Sequence, residues 1–220
     1  MPRHTKQLVP FAQQQLTLAI AQLKQGGPRE EILPMLETVL SQLQTLATHD
    51  SLTGALNRRA LLAKLEFELE RSLRTGHSFS FAVISIDNLP EIMEQFGQDA
   101  TKHILQMVTV EANGLLRTLD SFGRIAATEF AIVMPTTWLD QSIKAITRMQ
   151  ARLASVDWSD TIPGSSVSFC TGLTTNSPGD SAAKMLERAT RALANAKAKG
   201  PGETAQIEAD LPNYDANASE

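Results

Sequence analysis

The sequence predicts a mixed α/β domain of about 150 residues carried behind two helices. Three observations lead there. From residue 50 onward helical stretches alternate with short apolar runs of strand character. Between residues 5 and 46 the apolar positions return every three or four residues. The chain of 220 residues is 42% hydrophobic and 20% charged, which supports a sizeable core and excludes a disordered protein.

Residues 5–25 set Leu8, Ala12, Leu16, Ala19, Ile20 and Leu23 at helical spacing, and Gly26-Gly27-Pro28 supplies the stop. Ile32, Leu36, Val39, Leu43 and Leu46 then step by 4, 3, 4 and 3, the repeat of a helix that packs along a partner. Pro34 is expected to interrupt the first turn of that helix. Two such repeats leave two readings open: helices folded against the domain, or a hairpin that joins two chains. Asn57 to Arg74 reads as a helix closed by Thr75-Gly76, and Phe79 to Ile86 (FSFAVISI) as a buried strand. Residues 90–117 are helical with a break at Gly97. Phe122 to Ile125 and Phe130 to Met134 make a hairpin around Ala126-Ala127-Thr128-Glu129. Leu139 to Leu153 is a helix, Val167 to Leu173 a strand, and Ala182 to Lys199 a last helix ended by Gly200. The organisation read this way is a helical segment at 1–48, a domain at 49–200, and an acidic end at 201–220 expected to be disordered.

Charge narrows the function classes. The last twenty residues carry Glu203, Glu208, Asp210, Asp215 and Glu220 without a base, so of the net charge of −4 the rest holds only +1. Such a balance offers no general attraction for nucleic acid or anionic lipid. The glutamine-rich start lacks the apolar run of a signal or a membrane span. One cysteine, Cys170, allows no internal disulfide, and reads as a small buried hydrophobe in a reducing, cytoplasmic setting. His49, His77 and His103 lack metal spacing.

Asp50 to Arg59 (DSLTGALNRR) resembles the opening motif of the GGDEF family, the bacterial diguanylate cyclase domain, whose usual form is D-x-L-T-G-L-x-N-R-R. Asp87, Phe96-Gly97, Arg117, Asp120, Arg124, Glu129-Phe130, Met134-Pro135, Gly172, Ala196-Lys197 and Gly200 follow in the family's order, over roughly residues 48 to 200. The resemblance implies a central, mainly antiparallel sheet wrapped by helices, with strand 79–86 beside the 122–134 hairpin. It also implies a cytoplasmic signalling protein whose helical segment makes a homodimer. Asp50 and Asn57 then serve as turn and helix caps, and Arg58 and Arg59 as surface residues.

What the resemblance implies for the chemistry is divided. The family joins two GTP molecules into cyclic di-GMP, using carboxylates that hold magnesium on the triphosphate. Those positions fall on Ser85 and Thr128. The guanine-reading Asn and Asp fall on Met93 and Lys102, and two basic phosphate ligands fall on Pro90 and Pro201, with Lys197 retained. The signature glycines, which the resemblance implies for a sharply bent turn that can require a positive φ, fall on Ala126 and Ala127, while Glu129 keeps its identity. The expectation is therefore no catalysis, no enzyme and no magnesium. Arg117 and Asp120, five residues and more ahead of the hairpin, match the family's R-x-x-D inhibitory site, which binds cyclic di-GMP; Arg148 falls where the family's further arginine stands, with Arg152 as fallback. The function expected is a cyclic di-GMP receptor using Arg117, Asp120 and Arg148. The competing reading is a protein-protein interaction module in which Arg117 and Asp120 form only an exposed ion pair.

Overall fold

A computed structural model describes residues 4–209. It begins with α1 (His4–Lys24) and α2 (Arg29–Thr48), joined by a turn in which Gly26 takes a φ of 72° and the Gly27 N–H donates to Gln22 O at 2.8 Å. The two helices pack on each other as a hairpin along a narrow seam. Ala12 and Ala19 on one face Ile32 and Val39 on the other, all buried, while Leu18, Leu23, Leu40 and Leu43 stay exposed. Pro34 lies inside α2 without ending it, contrary to the sequence expectation.

Asp50 opens the domain as predicted. Its carboxylate accepts from the Thr53 N–H at 2.9 Å and the Thr53 hydroxyl at 2.8 Å, closing the turn before β1 (Leu56–Asn57). Asn57 caps α3 (Arg58–Thr75) by accepting from the Ala60 N–H at 2.9 Å, and Gly76 ends it at a φ of 70°. Arg58 and Arg59 are exposed but occupied, donating to Ile125 O and Ala47 O. That pair of bonds ties α3 to the end of α2 and to the signature turn.

The remaining elements are β2 (Ser80–Ile86), α4 (Leu89–Leu115), β3 (Ser121–Arg124), β4 (Glu129–Met134), α5 (Leu139–Ala154), β5 (Phe169–Thr175), α6 (Ala182–Lys199) and β6 (Thr204–Gln206). They build one sheet in the order β1-β3-β4-β2-β5-β6. Its inner ladders, β3 with β4, β4 with β2 and β2 with β5, are antiparallel, and only the two outer pairs are parallel. Strand alternation divides the core in two. Ala82, Ile84 and Ile86 of β2 pack with Ile104, Leu105 and Ile146 beneath α4 and α5. Phe81 and Val83 pack with Leu61, Leu65 and Met185 beneath α3 and α6. Gly172 lets α6 lie directly on β5, because a Cβ there would stand 2.1 Å from Ala189 O and 2.2 Å from Leu193 N. The predicted break in α4 is real, with Gly97 at a φ of 83°.

Two short outer strands escaped the sequence reading. β6 corrects the disordered end expected at 201–220, since Thr204–Gln206 pair with Thr171–Leu173, and Ile207 N donates to Leu173 O. Gln150 holds that edge from α5 by donating to Phe169 O and Gly202 O. Residues 210–220 of that expectation lie outside the described ones.

Candidate functional site

β3 is four residues long, and the residues expected to matter lie at its two ends. At its start, Asp120 folds back over the preceding turn. Its Oδ2 accepts from the Arg117 N–H at 2.8 Å, and the Asp120 N–H donates to Arg117 O at 3.0 Å. The carboxylate is thereby held by Arg117's backbone, and among the described residues neither the Arg117 nor the Arg148 guanidinium has a hydrogen-bond or ion-pair partner in the chain. The exposed Arg117–Asp120 ion pair of the competing reading is therefore absent.

Arg148 reaches the same place from α5. Arg117, Asp120 and Arg148 line one small cavity of about 20 Å³ together with Met134, Thr137 and Gln141, and both arginines are exposed. Burial raises the Asp120 carboxyl above its ordinary value; the Arg117 N–H and the charges of Arg117 and Arg148 pull it down without cancelling the rise. Two unengaged planar cations and a desolvated carboxylate in one cavity suit a ligand with acceptor atoms and N–H donors on a flat edge, together with phosphate oxygens. Arg152, the fallback arginine, does not join them, because its Nε donates to Glu111 Oε2 at 2.7 Å across the exposed face of α4 and α5. Thr137 and Gln141 went unnoticed in the sequence. Gln141 had a signal, standing seven residues before Arg148 and hence on the same face of one helix.

The other end of β3 is built differently. Arg124 crosses back to the opening motif, donating to Asp50 Oδ1 at 3.2 Å and to Ala127 O at 2.7 Å. Burial by itself raises the Asp50 carboxyl, but the two Thr53 hydrogen bonds and Arg124 outweigh it and hold it below its ordinary value. Ala126 and Ala127 carry no strain. Thr136 alone among the described non-glycine residues has a positive φ, so the glycine requirement considered for the turn does not apply. The Ile125 N–H donates to Glu129 O at 2.9 Å, and the Ile86 N–H to Thr128 O at 3.2 Å.

Ser85 is buried in β2 between Glu129 and Cys170 on the neighbouring strands. Both oxygens of Asp87 are occupied by backbone, accepting from the Cys170 N–H at 3.1 Å and the Gly202 N–H at 3.0 Å. Ser85 and Thr128 contribute hydroxyls only. Neither position offers the carboxylate oxygen that magnesium favours. Met93 is partly exposed and accepts weakly from the Thr101 hydroxyl at 3.6 Å; Lys102 pairs with Asp99 at 2.9 Å. Pro90 occupies the first turn of α4, and Lys197 the last turn of α6. Cys170 is buried as expected. Burial, and then Asp87, raise its thiol, so it is no nucleophile.

A sheet with this strand order and helices on both faces defines a fold of the nucleotidyl-cyclase type. The chain belongs to the GGDEF family, described as diguanylate cyclase, GGDEF domain, which matches residues 47–203. It is 27% identical over 200 residues to diguanylate cyclase DgcP of Pseudomonas aeruginosa, covering 91% of this chain and 30% of DgcP. The fold matches the coiled coil and GGDEF domain of DgcB from Caulobacter crescentus in complex with c-di-GMP, with a TM-score of 0.76, 20% identity, and coverage of 85% of this chain and 98% of that one. A microbial GGDEF domain solved in a novel interaction mode with cyclic di-GMP matches with a TM-score of 0.66 at 25% identity, over 75% of this chain and 99% of that one. The expectation that the chain is not an enzyme is overturned here, because its family and DgcP are named for the cyclase activity. Among the described residues no helix is long and apolar enough to cross a membrane.

Proposed function

We propose that this GGDEF domain is a cyclic di-GMP receptor that grips the dinucleotide through Arg117, Asp120 and Arg148. The observation that carries the reading is the convergence of two unengaged guanidinium groups and one desolvated carboxylate on a single cavity. Arginine forks suit guanine acceptors and phosphate oxygens, and the carboxylate accepts from the guanine N1 and N2 hydrogens. The c-di-GMP complexes of the DgcB domain and of the microbial domain add support by family likeness. No metal takes part in this mode of binding. A cytoplasmic setting suits it, with Cys170 a buried free thiol.

Isothermal titration of the chain with cyclic di-GMP tests the reading: saturable heat is expected, and none at about 100 µM ligand ends it. A parallel assay with GTP and magnesium measures turnover separately from binding.

A second copy of the chain is the expected partner, held through the outer faces of α1 and α2. Leu18, Leu23, Leu40 and Leu43 are exposed there although the hairpin seam is already filled. Leu40→Glu with Leu43→Glu should convert a dimer to a monomer in sedimentation velocity. A wild-type monomer at tens of micromolar removes the dimer from the reading.

A further inference from the structure

We infer that Trp138 is a base-stacking residue of the same cavity, which would make the ligand a purine nucleotide recognised by its ring face as well as by its edge. The inference rests on the receptor reading above and concerns a residue that the family resemblance did not supply. Trp138 stands immediately before α5. It is the N-cap of α5, with an extended backbone that follows directly on Thr137. Gln141, Ala145 and Arg148 line the cavity, as does Thr137, Trp138's neighbour in sequence. Trp138 is thus one residue from the lining in sequence.

The sheet register brings the opposite wall to the same place. Ser121 pairs with Val133, so the Arg117–Asp120 turn and the segment from Met134 to Trp138 leave the same end of paired strands. Each of these segments presents one large apolar side chain to solvent, Leu119 at 63% exposure and Trp138 at 61%. The chain has two tryptophans, and the other, Trp158, is buried to 6% exposure. An indole left in water one residue from the cavity lining lacks a folding role that burial would explain.

The backbone that presents Trp138 is also constrained. Thr136 holds a φ of 48°, a strained conformation for a β-branched residue. The Thr136 and Thr137 hydroxyls both donate to Pro135 O, at 2.8 and 2.9 Å. The turn therefore sets the direction in which residue 138 departs. Arginine and carboxylate read the edge of a guanine, and an indole covers its face; a free phosphate or an acidic peptide gains nothing from the indole.

The test follows tryptophan emission and heat together as the whole chain is titrated with cyclic di-GMP. The wild type should lose emission along a curve that superposes on the calorimetric one. Inorganic phosphate should leave the emission unchanged. Trp138→Phe should keep affinity within a few-fold while losing the emission change, since Trp158 stays in the core. Trp138→Ala should weaken binding between about fivefold and a hundredfold, with its melting temperature unchanged. If Trp138→Ala binds as tightly as the wild type while Arg117→Ala does not bind, the stacking role is refuted and the cavity stands. A Trp138→Ala chain that binds normally but loses self-association marks a protein contact instead, and equally refutes stacking. If the wild type takes up no ligand, both readings fall.

Discussion

The two ends of β3 lie about 10 Å apart, yet they are finished in opposite ways. At the Asp120 end the Arg117 and Arg148 side chains are exposed and have no partner among the described residues, while the half-buried Asp120 carboxylate is held by the Arg117 N–H. At the Arg124 end the charges turn inward: Arg124 is consumed by Asp50 and Ala127 O, and the neighbouring turn is satisfied by backbone. The same short strand thus separates charge proposed to take a ligand from charge that holds the fold together. Unspent donors beside a desolvated acid mark the first, and crossed bonds between distant segments mark the second.

The comparison can be broken most severely through the sheet that both ends share. Gly172→Ala drives a methyl into the α6 backbone and should cost at least about 3 kcal/mol in urea unfolding, disabling both ends at once. Arg117→Ala should separate them, weakening cyclic di-GMP binding tenfold or more while stability changes by under about 1 kcal/mol, because its guanidinium has no partner among the described residues. Arg124→Ala is the converse. It should cost about 1–2 kcal/mol of stability and leave calorimetric affinity untouched. The Asp50 part of that loss shows a pH signature: a depressed native carboxyl stabilises at neutral pH, and its contribution disappears as pH falls through the native value. Asp120 has the reverse shift. Its raised carboxyl protonates at a higher pH than an ordinary aspartate, so in a calorimetric pH series cyclic di-GMP affinity should begin to fall on acidification at a pH above the ordinary aspartate range. Arg152→Ala should do least: its exposed bond to Glu111 is worth under about 1 kcal/mol, and ligand affinity should not change.

Legibility followed burial and repetition. β2 was plain because all seven residues are buried and apolar or small, and α6 because Ser181 and Gly200 bracket a regular apolar stripe. β1 and β6, two and three residues long, have no period of their own and exist through pairing with β3 and β5. The sequence placed Arg117, Asp120 and Arg148 in one group, and the cavity joins them. It did not show that Asp120 binds the Arg117 backbone rather than its guanidinium, a choice settled by the turn. Nor did it show the full employment of Asp87, since the Gly202 N–H arrives from 115 residues away along the chain. Alanine at 126 and 127 was read through a glycine requirement that the backbone of this turn does not impose.

The three residues of β6 have a colloidal consequence. β5 is a seven-residue strand of buried character, and without cover its outer edge would offer backbone donors and acceptors to any passing strand, the first step of sheet-to-sheet aggregation. Thr204–Gln206 occupy that edge only as far as Thr171–Leu173. The residues that continue the chain bring Glu208, Asp210, Asp215 and Glu220 with no base among them. A molecule trimmed at Gly200 would keep its six helices and lose both the cover and the repulsion, so its shelf life in concentrated solution should shorten before its activity at dilution changes.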